Sequence, residues 1–141
     1  DENVSVAVGA NPATNPDAVG RGLRTHRRLQ NALAAAVTER GGEPLAPTPM
    51  DPNFDLAWFV DPSHLVVCEM KSLTIENEIH QLRLGLGQVL DYAHALGPRA
   101  DSVTPVLYVP RCPTDGRWID VADGAGVLLR WPANHEGLPF P

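Results

Sequence analysis

Asp55, Glu69 and Lys71 are the residues of this chain whose types and spacing could do chemistry. Glu69-Met70-Lys71 closes an apolar run, Leu65-Val66-Val67-Cys68, that reads as a strand. Side chains two apart on a strand share a face, so Glu69 and Lys71 project together beyond Leu65 and Val67. With Asp55 on the partner strand, its carboxylate approaches Glu69 across the ladder. Two carboxylates and the Met70 backbone carbonyl would then offer a hard, all-oxygen site for Mg²⁺. An ion in such a site binds a phosphate oxygen, lowers the pKa of a bound water and stabilises a leaving oxygen. Lys71 would orient that water or neutralise charge at phosphorus. The bland reading of the same spacing is a cross-strand ion pair.

Lys71 is singular: ten of the eleven basic residues are Arg. A chain that uses Arg wherever any cation suffices keeps Lys where a compact charge or a shiftable pKa is needed. A second cluster follows on a helical stretch, where Gln81, Gly85, Gln88 and Tyr92 fall on one stripe. Gly85 and Gly87 inside a helix cost about 1 kcal/mol each relative to Ala, which implies close approach to a sheet or a ligand.

The elements that must position these groups can be read along the chain. Residues 1 to 20 are small, polar and punctuated by Pro and Gly; Val4, Val6 and Val8 alternate as an edge strand would, and a linker reads equally well. From Arg21 to Arg40, Leu29, Leu33, Ala36 and Val37 follow helical spacing, with Gly41-Gly42 as the stop. Arg21, Arg24, Arg27 and Arg28 load its first half with positive charge against the helix dipole, as a phosphate-contacting patch or a solvated face. Phe54 to Val60 and Leu65 to Lys71 read as a hairpin through Asp61-Pro62-Ser63-His64, the second strand covered on both faces. A helix then begins near Thr74, suited by Glu76 and Glu78, and ends at Gly97-Pro98. Val103 to Val109 is a strand, Trp118 to Ala122 a short helical turn, Gly126 to Trp131 a last strand, and residues 133 to 141 an irregular tail. The result is an α/β domain over 21–132, a mixed sheet with helices on both faces.

Asp55, Glu69-x-Lys71 and Gln88-x3-Tyr92 in this element order resemble the PD-(D/E)xK nuclease superfamily, most nearly its RecB-type and Holliday-junction-resolvase-like branches. The resemblance spans residues 21 to 131 and implies a restriction-endonuclease-like α-β-β-α-β-(α)-β core. It implies metal ligation by Asp55 and Glu69, water or phosphate positioning by Lys71, and that Gln88 and Tyr92 organise the site or touch the DNA backbone; on the nuclease reading, Gln81 and the first-helix arginines are the expected DNA contacts. The cofactor implied is Mg²⁺, with Mn²⁺ as a substitute, and the activity is hydrolysis of DNA phosphodiester bonds in restriction, repair or recombination. Many members carry a Glu on the first helix; here that neighbourhood holds Gln30 and Asn31, so Gln30 is the candidate to support a metal-bound water, while Glu39, at the helix end, reads as a surface acid. Phe54 replaces the Pro of the family name. A catalytically silent DNA-binding or assembly module of the same fold is the alternative, against which the intact acid–acid–lysine set argues. An unrelated α/β domain with a chance motif is the third reading.

Composition sets the outer bounds. At 141 residues and 43% hydrophobic, the chain supports one compact domain. A net charge of −6 argues against a non-specific nucleic-acid coat protein, so an upstream recognition domain or a homodimer partner would supply most of the DNA affinity. The chain opens on Asp, not Met, which reads as a fragment or a processed product. No apolar run reaches the ~18 residues of a membrane span, and two cysteines make no disulfide framework, so a reducing cytoplasm is expected. His26, His64, His80, His94 and His135 lack zinc-ligand spacing, His80 reads as an exposed helix residue, and no phosphate-cradling glycine loop is present. Trp58, Trp118 and Trp131 are too scattered for a base-stacking platform and read as core or rim.

Overall fold

A computed structural model describes residues 16–141, with side chains placed from Gly20 onward; the candidate edge strand at Val4, Val6 and Val8 lies outside them. Helix α1 spans Pro16–Glu39 and buries Leu29, Leu33, Ala36 and Val37, the face its spacing predicts. It starts five residues before the expected Arg21 because Pro16 suits a first helical position, where no amide hydrogen is needed. It stops where Gly41 turns left-handed at φ 84° and the Gly42 amide donates back to the Val37 carbonyl at 2.9 Å.

Strands β1 (Leu56–Asp61) and β2 (His64–Met70) form the expected antiparallel hairpin. Its turn is fixed by the Asp61 carboxylate, which accepts from the Ser63 amide at 2.8 Å and from the Ser63 hydroxyl at 2.7 Å. β3 (Ser102–Tyr108) pairs parallel to β2, and the short β4 (Leu128–Arg130) parallel to β3, giving a four-stranded mixed sheet in the order β1-β2-β3-β4. Pro105 sits in β3 opposite Val67, but β4 pairs only with Val106 to Tyr108. Its missing amide therefore falls where β3 has no neighbour on that side.

Two helices, α2 (Glu78–Ala95) and α3 (Arg117–Gly124), cover the sheet face that carries Leu65, Val67 and Leu107. α1 covers the other face, packing on Val66, Cys68, Val106 and Tyr108. Alternating β2 residues thus enter two separate cores, which is why the strand is apolar throughout. α2 begins at Glu78, later than Thr74, because Thr74 and Asn77 close a turn of their own: the Thr74 amide donates to Asn77 Oδ1 at 2.7 Å, and the Asn77 amide to Thr74 Oγ1 at 3.1 Å.

The C-terminal stretch departs from the expected irregular tail. Pro132–Gly137 is a 3₁₀ helix, Leu138 is buried, and Phe140 stacks on Trp58 with ring centroids 5.7 Å apart. Trp58 also donates its indole N–H to the Pro139 carbonyl at 2.8 Å. An indole fully buried at the edge of the α1-side core needs a partner for that N–H and a cover for its ring; residues 138–140 provide both. Among the described residues, no helix is long and apolar enough to cross a membrane.

Candidate active site

The site forms at the end of the sheet where β1 begins and β2 finishes. In an open α/β sheet this carboxyl end of the parallel strands is the usual place for a ligand. Asp55 directly precedes β1, and its amide donates to the Cys68 carbonyl at 3.1 Å, which holds it against the end of β2 and in contact with Glu69. The side chain then takes over from the backbone: the Met70 amide donates to Asp55 Oδ2 at 2.8 Å. On its other side α1 closes in. His26 Nε2 lies 3.1 Å from Asp55 Oδ1, and Gln30 Nε2 donates to the Asp55 carbonyl at 2.7 Å. Gly22 completes the line, since a Cβ there would stand 3.5 Å from Ser72 Oγ. Gly22, His26 and Gln30 recur every four residues, one stripe of α1 turned to the site.

Glu69 and Lys71 do share a face, with Lys71 Nζ donating to Glu69 Oε2 at 2.9 Å. Both are deep: the Glu69 side chain is 6% exposed and that of Lys71 11%. Burial raises the Glu69 carboxyl to about 8, the adjacent Asp55 charge adds to that, and Lys71 offsets only part. Burial also works to raise Asp55, but the His26 contact and the Met70 amide outweigh it and hold Asp55 below the usual carboxylate range. The two acids are in side-chain contact and titrate as a pair, with the proton kept on Glu69 and the negative charge on Asp55. Glu69 Oε1 is buried without a hydrogen-bond partner.

α2 supports this arrangement from the far side. Gln81 donates to the Ser72 carbonyl at 3.1 Å, fixing the turn that carries Lys71 off the strand. At Gly85 a Cβ would stand 2.6 Å from Leu107 Cδ1 and 3.1 Å from Lys71 Cγ, so this glycine lets the helix press on the sheet and on the lysine stem. Gly87 does not share that role: it is exposed, and a Cβ there meets nothing within 4 Å. Gln88 is half-buried, with its Oε1 enclosed and unpartnered, and Tyr92 packs against the α2-side core. Arg21, Arg24, Arg27 and Arg28 are all exposed on α1. Glu39 is an exposed residue nine positions beyond Gln30, about 13 Å farther along the axis, and so belongs to the surface and not to the site.

Among the described residues, no three His, Cys, Asp or Glu side chains are gathered into a group that could hold a metal ion. The donor set still suits a hard divalent cation. Two carboxyls in contact, one with a buried bare oxygen, carry negative charge that a proton now relieves and that a cation would relieve more fully. No family model, curated protein or solved structure matches the chain.

Two polar contributions are not singled out by the residue patterns. His26 was legible in principle, standing one turn before Gln30 and one after Gly22. Glu78, expected only to suit a helix start, is buried and holds the loop after β3: it pairs with Arg111 at 2.6 Å and accepts from the Thr114 amide at 2.9 Å. Nothing in the local sequence ties Glu78 to a loop over thirty residues away.

Proposed function

We propose that this chain is a metal-dependent endodeoxyribonuclease domain of the PD-(D/E)xK type, with a restriction-endonuclease-like core, hydrolysing DNA phosphodiester bonds. The observation that carries the reading is the Asp55–Glu69 contact with its bare Glu69 oxygen, set beside the one lysine of the chain. Asp55, Glu69 and the Met70 carbonyl would hold Mg²⁺ or Mn²⁺, which when bound supplies charge neutralisation at the scissile phosphate and an activated nucleophile. Lys71 contributes a buried ammonium that can donate to a non-bridging phosphate oxygen as negative charge builds there. Gln88, three residues beyond Gly85 on α2, would help organise the site from that helix. Gln30, Gln81 and Gly85 hold the groups that act: the Asp55 backbone, the Ser72 turn and the Lys71 stem.

One observation favours the second reading, a catalytically inactive DNA-binding or assembly module: the Met70 amide and His26 already engage both Asp55 oxygens. A plasmid-nicking assay in Mg²⁺ or Mn²⁺ separates the two. Cleavage by the wild type that drops about 10²–10³-fold in Lys71→Ala supports the nuclease. Equal cleavage by both proteins removes Lys71 from the mechanism, and DNA binding without cleavage by either supports the inactive module.

A further inference from the structure

α1 carries a charge distribution that folding does not explain. Between Asp17 and Glu39 it holds Arg21, Arg24, Arg27 and Arg28 and no acid, within a chain of net charge −6. A solvated helix face ordinarily mixes signs at spacings of three and four, and cations in the first half of a helix oppose its dipole. The arginines are all exposed, whereas Leu29, Leu33, Ala36 and Val37 fill the sheet-facing side.

Their order around the helix adds direction. Arg27 stands three residues before Gln30, about 60° round the axis, on the flank beside the stripe that touches Asp55. Arg24, Arg28 and Arg21 continue in the same sense onto the outward side, at successive offsets of about 60°, 40° and 20°. Residues 21 to 28 cover about 10 Å of helix axis, the length over which one DNA strand presents about three charges.

We propose that this arginine band is a nucleic-acid backbone track, leading from the rim of the candidate site across the outer face of α1 and gripping phosphates flanking the one at Lys71. This rests on the nuclease reading for its ligand class: a polyanion that engages both the buried lysine and the helix above it is a nucleic-acid strand. The contacts are to phosphate alone, so they carry affinity without base preference.

The test is equilibrium binding of a fluorescein-labelled duplex to the 141-residue chain in chelator, where no cleavage occurs, across a range of salt. Arg24→Ala/Arg27→Ala/Arg28→Ala and the charge-keeping Lys triple are compared with wild type, each checked for an unchanged melting temperature. The expected result is a log K against log salt slope less negative by about 0.9 for each arginine lost, at least tenfold weaker binding at low salt, and recovery in the Lys triple. Cleavage assays on the same variants should show a raised KM and an unchanged kcat. An unchanged slope overturns the proposal, as does an arginine-dependent grip on anionic vesicles with none on DNA. Because binding is read without catalysis, the failures are distinct: arginine-dependent binding without any cleavage defeats the nuclease reading alone, and Lys71-dependent cleavage indifferent to the arginines defeats the track alone.

Discussion

Replacing Glu69 with Gln should stabilise the metal-free protein at neutral and alkaline pH while abolishing cleavage. A carboxyl held near 8 in the folded chain and near 4.5 in the unfolded one favours folding below about pH 4.5. That contribution is lost as pH rises toward 8, because the unfolded state ionises freely and the folded site resists. At about 1.4 kcal/mol per pH unit, the loss between pH 5 and pH 8 reaches about 3 kcal/mol. Gln has no such proton to lose. Its amide N–H can donate to Asp55 where two carboxyls now meet, and its carbonyl oxygen can still accept from Lys71.

The assay is thermal unfolding of both proteins in chelator at pH 5 and pH 8. The variant's advantage should grow by about 10 °C between the two, taking about 3 °C per kcal/mol for a domain of this size. Titrating groups away from Asp55 and Lys71 are common to both proteins and cancel in the difference. Asp55, whose pKa lies below the usual range, acts in a separate window: its stabilisation is present above about pH 4 and is lost only below it. Millimolar Mg²⁺ should raise the wild-type midpoint at pH 8 and leave the variant unmoved. An advantage that is the same at both pH values would refute the account of Glu69 as a frustrated buried acid.

Gly85→Ala should lower stability by about 1–3 kcal/mol, since its Cβ would collide with a fully buried Leu107, whereas Gly87→Ala should raise it by up to about 1 kcal/mol; paired thermal melts read both. Glu78→Ala should cost about 1–2 kcal/mol and increase amide hydrogen exchange at Thr114. Glu78 itself is held low by Arg111 and Thr114 against the opposing effect of burial, so its contribution is present at neutral pH and fades on acidification, as a urea-midpoint titration would register. Leu138→Ala should cost about 2–4 kcal/mol, and Phe140→Ala should shift tryptophan emission to the red by uncovering Trp58.

The hairpin could be read from the sequence because alternation and turn chemistry are local, with an apolar run on both sides of Asp61-Pro62-Ser63; the register shift between Phe59 and Asp61 could not. Asp55 stands one residue before that pairing begins and meets Glu69 there, so the approach of the two acids was legible as well. The first-helix contribution was not. His26 meets Asp55 across twenty-nine positions of chain, and only the angle at which α1 crosses the sheet turns that stripe toward the acid. Residues 138–140 were opaque for a similar reason: Leu-Pro-Phe has no periodicity, and its role is set by a hole left over Trp58, a property of the assembled core. The two helix glycines looked equivalent in sequence, yet one faces Leu107 and the other solvent, a difference settled by which side of α2 the sheet occupies.

The locations of the unfavourable features argue for a site more strongly than any single contact. Glu69 is a buried acid against a second acid, with an unbonded oxygen. Gln88 keeps an enclosed oxygen without a donor, and Gly85 gives up helix propensity to let α2 touch Lys71. Gly22 and four arginines occupy the half of α1 that crosses the same end of the sheet, where Ala and acids would make a steadier helix. Except at Gly85, where a Cβ would strike Leu107, each could be replaced by a residue better for folding alone. The opposite end offers a contrast: the Asp61 turn satisfies its own donors, and His64 bonds Thr104 at 2.7 Å. Trp118 Nε1 on α3 is also buried without a partner, so not every fault lies here; those at Glu69, Gly85 and Gly22 do meet at Lys71 and the Ser72 turn, which marks the place where another demand outweighs folding.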